Sequence, residues 1–153
     1  MVASSDFSVH LYAWNEAMPL TQPLREQVFV IEQKVPIELE WDEFDAVSRH
    51  AIAFNTAGEA IGTGRLLPDG HLGRMAVLPA WRGRGVGRLI LNSLIAEATR
   101  LGIQQLVLHA QTHAVSFYRA CGFIAAGEEF MEAGIPHLKM TRTRKQSEAP
   151  RMG

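Results

Sequence analysis

Between Met75 and Arg88 the chain reads Met-Ala-Val-Leu-Pro-Ala-Trp-Arg-Gly-Arg-Gly-Val-Gly-Arg. Three glycines, Gly83, Gly85 and Gly87, alternate with other residues, and Arg82, Arg84 and Arg88 flank them. The segment follows a predicted strand and opens a predicted helix. The first N–H groups of a helix lack intrahelical partners and sit at the positive end of its dipole. Bare glycines let an anion reach that backbone, and arginines add charge for it. The pattern points to a phosphate or pyrophosphate. It is not a P-loop, because no Lys-Ser/Thr pair follows the glycines. It also misses the dinucleotide fingerprint, whose third glycine would fall at Arg88.

The elements around the loop follow from periodicity and turn residues. Alternation at Phe7, Val9 and Leu11 predicts a strand over 7–13. Helical spacing of Leu20, Leu24, Val28 and Ile31 predicts a helix that starts near Pro19 and stops before Pro36. Residues 38–45 are acidic and read as a short helix or loop. Three strands follow as a meander, 50–55, 60–67 and 71–78, joined at Thr56-Ala-Gly58 and Pro68-Asp-Gly70. Val86, Leu89, Ile90, Leu94, Ala98 and Leu101 form the stripe of the helix after the glycine loop. Residues 105–110 read as a strand buried on both faces. Thr112 or His113 starts another helix, closed by Gly122. A hairpin of 123–131 and 136–142 turns at Glu132-Ala-Gly134. These pieces predict an α/β (α+β) domain over residues 1–142 and a polar, fraying tail at 143–153. Its mixed sheet has roughly seven strands, with an antiparallel N-terminal meander, a parallel pair and about four helices.

The spacing Arg82-x-x-Gly85-x-Gly87 resembles the acetyl-CoA pyrophosphate loop of the GCN5-related N-acetyltransferases. About two dozen residues on, Ala114-Val-Ser-Phe117-Tyr118-Arg-Ala-Cys-Gly122-Phe123 resembles the second signature of that family. The likeness spans roughly residues 7–142. Arg25-x-x-Val-Phe-Val30-x-Glu32-Gln33, Gly62-Thr-Gly-Arg-Leu, His109-Ala-Gln111 and Gly134-Ile-Pro-His137 are similar to the ElaA/YjcF-type branch. The ending Pro136-His137-Leu-Lys-Met140 is also similar to glyphosate N-acetyltransferase, in which the matching histidine is the base.

The resemblance implies the fold named for that family and direct attack of an amine on the acetyl-CoA thioester. It assigns the cofactor to Met75, Ala76, Val77, Arg82, Gly83, Arg84, Gly85, Val86, Gly87, Arg88, His113, Phe117 and Tyr118. The N–H of Val77 would polarise the acetyl carbonyl, an oxyanion-type role. Tyr118 would be the general acid for the thiolate, its ordinary pKa near 10 lying close to that of a thiol. For the amine, histidine is basic near neutral pH without large perturbation. Of the six histidines, His137 is the expected base and His109 the second candidate. His113 stands where many family members carry Asn. His10, His50 and His71 are expected at strand ends or on exposed faces. Cys121 reads as a buried thiol. Arg25, Glu32, Glu40, Asp42 and Asp45 are candidates for the acceptor site, and Arg74 for an anionic group of a zwitterionic acceptor.

Composition bounds these readings. The 153 residues carry 15 Lys and Arg against 16 Asp and Glu, a net of −1, which disfavours nucleic acid as a partner. One cysteine suits a reducing compartment, and no apolar run suits a membrane helix. No signal-peptide pattern opens the chain, so a cytoplasmic enzyme is expected. The histidines lack zinc-ligand spacing, so no metal is expected. The acceptor is expected to be a small-molecule primary amine, and a homodimer through sheet edges is possible for such a domain. The alternatives are a non-catalytic acyl-CoA-binding or regulatory domain and a protein N-acetyltransferase.

Overall fold

The computed structural model describes residues 2–3, 6–37 and 42–144. The polar tail from 145 onward, Glu40 and Trp41 lie outside them. The described residues build a sheet in the order β1-β2-β3-β4-β5-β6-β9-β7, with β8 paired on β9. The strands are β1 (Val2–Ala3), β2 (Phe7–Tyr12), β3 (Arg49–Asn55), β4 (Ala60–Leu66), β5 (His71–Val77), β6 (Gln105–Gln111), β7 (Ile124–Ala125), β8 (Phe130–Glu132) and β9 (Ile135–Thr143). Every pairing is antiparallel except β5 with β6. The expected 123–131 strand is split into β7 and β8, with Gly127 at φ 96° between them.

Helix α2 (Val86–Arg100) covers one face of the sheet. Val86, Ile90, Leu94 and Ala98, spaced by four, are buried there with Val9, Ala53, Leu106, Leu108 and Met140. On β4 two glycines make room for it: a Cβ at Gly62 would lie 2.8 Å from Ile90 Cδ1, and one at Gly64 3.0 Å from Ile90 Cγ2. β6 alternates buried Leu106, Leu108 and Ala110 with half-buried or exposed partners, so one face is buried and not two as the apolar run suggested. The short helix α3 (Val115–Ala120) lies beside α2.

The other face carries α1 (Trp14–Arg25). It begins five residues before Pro19, against expectation, and holds both Pro19 and Pro23 inside it. Each proline removes one i→i−4 bond, which usually breaks a helix. Both are exposed and four residues apart, so the freed carbonyls face water. The helix then widens into a π-helical stretch, Glu26–Glu32, in which the N–H of Gln33 bonds to the carbonyl of Val28 at 3.0 Å.

A chain of buried ion pairs pins α1 to the sheet. Arg25, fully buried at the end of α1, grips Asp45 with both terminal nitrogens at 3.0 Å. Arg65 of β4 donates to Asp45 at 2.9 Å and to both oxygens of Asp42 at 2.6 and 2.9 Å. Arg74 of β5 reaches Asp42 at 3.1 Å. The indole of Trp14 stacks over Arg25 at 5.4 Å. His50, directly opposite Arg65 on β3, is fully buried, contrary to expectation, with Nε2 2.9 Å from the carbonyl of Asp45. Burial pushes the Asp45 carboxyl up, but Arg25 and Arg65 outweigh it and hold it below its ordinary 3.8. Asp42 is lowered too, burial again being overcome by Arg65 and Arg74. Burial lowers His50 below 6.5.

All three shifts lie below the ordinary values, so their stabilisation is full above the unfolded pKa and fades as pH falls. Stability should begin to decline below pH 6.5 through His50 and more steeply below pH 3.8 through the two aspartates. Asp45→Asn removes the negative charge shared by two buried guanidiniums, those of Arg25 and Arg65, and should cost about 3–5 kcal/mol. It should also flatten the acid decline, as read by urea denaturation between pH 3 and 7.

Candidate active site

The cleft begins where β5 and β6 part. Among the described residues their paired register is His71 with Val107 and Leu72 with Leu108. Beyond Leu72 the two strands diverge, so the backbone edge of Met75, Ala76 and Val77 is not covered by β6. A bulge sharpens this. Between Thr63↔Ala76 and Arg65↔Gly73, β5 spends three steps for two on β4, and Arg74 takes φ 51°. A bulge re-aims the strand, and a non-glycine residue at positive φ costs of order 1–2 kcal/mol. Gly73, next to Arg74, is its sequence sign, which strand periodicity alone passed over.

At the end of β5 the chain makes a short 3-10 turn, Pro79–Trp81, and enters the glycine loop. Gly83 and Gly85 hold φ 73° and 88°, conformations that L side chains rarely adopt. Gly85 is the N-cap of α2, and the first backbone N–H to return to the helix is that of Leu89, to Gly85 O at 3.1 Å. The N–H groups of Val86, Gly87 and Arg88 therefore have no acceptor within the helix. Gly87 serves differently. A Cβ there would lie 3.6 Å from Phe117 and 3.8 Å from Val77, ordinary contact, so nothing in the protein's own packing demands glycine.

The arginines divide their roles. Arg82 is engaged at every nitrogen: Nε donates to the carbonyl of Val77 at 3.0 Å, and Nη1 and Nη2 grip Glu32 at 2.6 and 2.7 Å. That hydrogen bonding holds the Glu32 carboxyl below its ordinary value. Arg84 stacks on Trp81 at 4.1 Å. Arg88 is exposed in the first turn of α2.

Beside the loop, Phe117 and Tyr118 meet edge to face at 5.1 Å, and Tyr118 packs on Phe123 at 6.0 Å. Burial, reinforced by Cys121, pushes the Tyr118 phenol up to about 12. Cys121 is half-buried. His113 is exposed, its Nε2 2.7 Å from the amide oxygen of Gln111.

On the α1 face of β6 and β9 lies a second cluster. His137 of β9, paired with Gln111, is buried, and its Nδ1 donates to the carbonyl of Ile135 at 2.7 Å. Nε2 then carries the lone pair in the neutral ring. It lies 3.7 Å from Glu132 Oε2, while Glu132 Oε1 accepts from His109 Nδ1 at 2.9 Å. Phe130 stands between the two rings, edge-on to His109 at 5.0 Å and stacked on His137 at 5.9 Å. The hairpin turn holds Ala133 and Gly134 at φ 53° and 77°, which sets Glu132 directly opposite Ile135. Sequence reading missed Glu132 and Phe130. The Glu-Ala-Gly turn was visible, but not that its first residue would sit between two histidines.

The acceptor candidates scatter. Arg25 and Asp45 are buried in the structural ion-pair chain and do not face a substrate, a correction with a plain cause: each is committed to the other. Asp42 clamps Arg65 and Arg74. Arg74 is half-buried on the acceptor side. Glu32 and His109 are exposed, and Glu40 lies outside the described residues. Among the described residues no group of three His, Cys, Asp or Glu is arranged to hold a metal ion. No helix among them is long and apolar enough to cross a membrane.

A sheet opened between two parallel strands, with a glycine-capped helix at the opening, defines an acyltransferase-type α/β protein. Residues 20–144 match the acetyltransferase (GNAT) domain, and the chain belongs to that family of acetyltransferases. It is 41% identical over 123 residues to "Uncharacterized N-acetyltransferase YjcF" of Bacillus subtilis, covering 78% of this chain and 87% of that one. It is 32% identical over 127 residues to "Protein ElaA" of Escherichia coli, covering 78% and 82%. Among solved structures, an acyl-CoA N-acyltransferase from Pseudomonas aeruginosa superposes at TM-score 0.80 with 30% identity, over 90% of this chain and 99% of that one. A GNAT family acetyltransferase from Elizabethkingia anophelis, solved with acetyl-CoA bound, shares the fold at TM-score 0.68 and 17% identity, over 92% and 100%.

The backbone angles separate the three loop glycines experimentally. Gly85→Ala, forced to positive φ, should lose about 1–2 kcal/mol of folding stability. Gly87→Ala, unstrained and within a helix, should hold or gain up to about 1 kcal/mol. Urea denaturation of the two variants reads the difference.

Proposed function

We propose that the chain transfers an acetyl group from acetyl-CoA to a primary amine of a small molecule by direct attack. One arrangement supports this: β5 and β6 part beside a helix N-terminus with unpaired N–H groups, and His137, opposite Gln111 at the end of β6, keeps an unprotonated ring nitrogen. The N–H groups of Val86, Gly87 and Arg88 would hold the pyrophosphate. The exposed edge at Met75–Val77 would pair with the pantetheine arm, and the Val77 N–H would meet the thioester carbonyl oxygen.

His137 is the base. Its Nδ1 is occupied by Ile135 O, so Nε2 accepts the proton from the acceptor's ammonium, or from the amine as it attacks. Glu132 faces that nitrogen at 3.7 Å, a separation suited to two acceptors. Once Nε2 carries a proton, the same pair becomes a charge-assisted hydrogen bond, ordinarily about 2.7–2.9 Å. An acceptor with both an amine and an anionic group would place the latter toward Arg74.

Tyr118 changes role from the sequence reading. A phenol near 12 is a weaker acid than a thiol near 8.5, so full transfer to the thiolate is uphill by about 5 kcal/mol. It acts instead as a protonated hydrogen-bond donor to the departing sulfur.

The test has two stages. Acetyl-CoA at saturation should raise the melting temperature of the wild type, and thiol release should exceed hydrolysis with some members of a panel of amino acids, amino sugars and small primary amines. No stabilisation by acetyl-CoA overturns the reading. With an active amine, His137→Gln should lower kcat/KM by about 10²–10⁴-fold, and Tyr118→Phe should lower kcat by about 10²-fold, as for one lost transition-state donor. Gly87→Ala should weaken CoA binding while leaving stability intact.

A further inference from the structure

The end of the π-helical stretch spans the cleft. Glu32 reaches the β5 bank, where it holds Arg82 with two short bonds. Gln33, the next residue, reaches the β6 bank, exchanging amide hydrogen bonds with Gln111 at 2.9 and 3.4 Å. Lys34 follows at φ 64°, a strained conformation for a side-chain-bearing residue. The strap thus ends in a high-energy joint and is tied at both banks, directly over the opening between the strands.

The β5 tie uses the guanidinium of Arg82, which immediately precedes the glycine loop that would hold the pyrophosphate. Every nitrogen of Arg82 is already engaged, Nε by Val77 O and both terminal nitrogens by Glu32, so a phosphate would have to share those two terminal nitrogens with the carboxylate. An exposed bidentate pair is a modest bond in water. A pyrophosphate brings more negative charge than one carboxylate and meets the helix N–H groups at the same time.

We infer that Glu32 and the cofactor's phosphates compete for Arg82, so that cofactor binding unties the strap at β5 and leaves the Glu32 carboxylate free on the acceptor side. This rests on the cofactor reading above. Glu32 acts on the cofactor through Arg82, without touching it.

Titration calorimetry with CoA itself tests the exchange without needing the acceptor. Glu32→Gln and Glu32→Ala should each tighten CoA by about two- to fivefold, the worth of an exposed ion pair. Arg82→Gln should weaken it by about tenfold, one charge-assisted contact. In the Arg82→Gln background the Glu32 substitutions should change nothing further. Amide exchange over residues 26–34 should speed up when CoA binds the wild type. If the Glu32 variants bind CoA no tighter, Arg82 and Glu32 form a fixed structural tie and the inference falls. If they tighten it equally without Arg82, the effect is general charge repulsion and the inference falls as well. Failure of wild type to bind CoA at all would instead remove the cofactor reading on which it stands. Both residues are exposed, and a melting temperature for each variant confirms that it is folded.

Discussion

Two parallel strands that start as hydrogen-bonded neighbours and then separate set the problem the rest of the fold answers. Backbone N–H and C=O groups along an opened edge need partners. β5 is secured on its other side by β4, whose register with it is kept through Ala76 and Val77. β6 is secured by β9 along its whole length, from Gln105↔Thr143 to Gln111↔His137. Each bank is therefore rigid by itself, and the gap between them persists without collapsing. The bulge at Arg74 belongs to the same constraint, since it sits where β5 must keep one partner while leaving another.

The two faces of the sheet divide the labour. On the α2 face, backbone does the work: Gly83 and Gly85 shape a loop whose N–H groups need no particular side chain. On the α1 face, side chains do it, and most of the charged ones are committed to structure. Arg25, Arg65, Asp42 and Asp45 hold α1 and the following loop against the sheet. A buried array of this kind is costly to break and only weakly stabilising relative to an apolar core, so its value lies in fixing geometry. It keeps the strand carrying Arg74 in place and brings the segment ending at Glu32 and Gln33 over the cleft.

Much of this was legible in the chain. Alternation and turn residues found the meander to within a residue or two, and the glycine-arginine spacing located a positive-φ loop and the helix it opens. What escaped shares one cause: it depends on contacts between segments distant in sequence. Pro19 read as a helix start because propensity disfavours proline inside a helix, yet the helix holds it and Pro23 on its exposed side. Leu106-Val107-Leu108 read as a doubly buried strand, but Val107, on the opposite face from Leu106 and Leu108, is only half-buried. His50 read as peripheral because nothing local shows that Arg65 and Asp45 will enclose it. The acidic residues read as a surface for a cationic amine, and the hidden fact was that three arginines from three elements converge on two of them.

The location of Glu132 narrows what the acceptor side can be. A carboxylate held by one histidine and facing another across a stacked phenyl ring is a site that prefers to accept positive charge at a fixed point. Its geometry comes from the β8–β9 turn, where Ala133 is kept at positive φ at a cost a glycine would avoid. Strain of that sort persists when the surroundings over-determine it. Here His137, Phe130 and Ile135 all lie on the two strands the turn joins, so loosening it would move His137, Glu132 and Phe130 together. The segment ending at Glu32–Gln33 and the hairpin at 130–137 can thus vary without altering the backbone of the glycine loop. Arg82 is where the two halves of the site touch, and it is there that occupancy of one can be felt by the other.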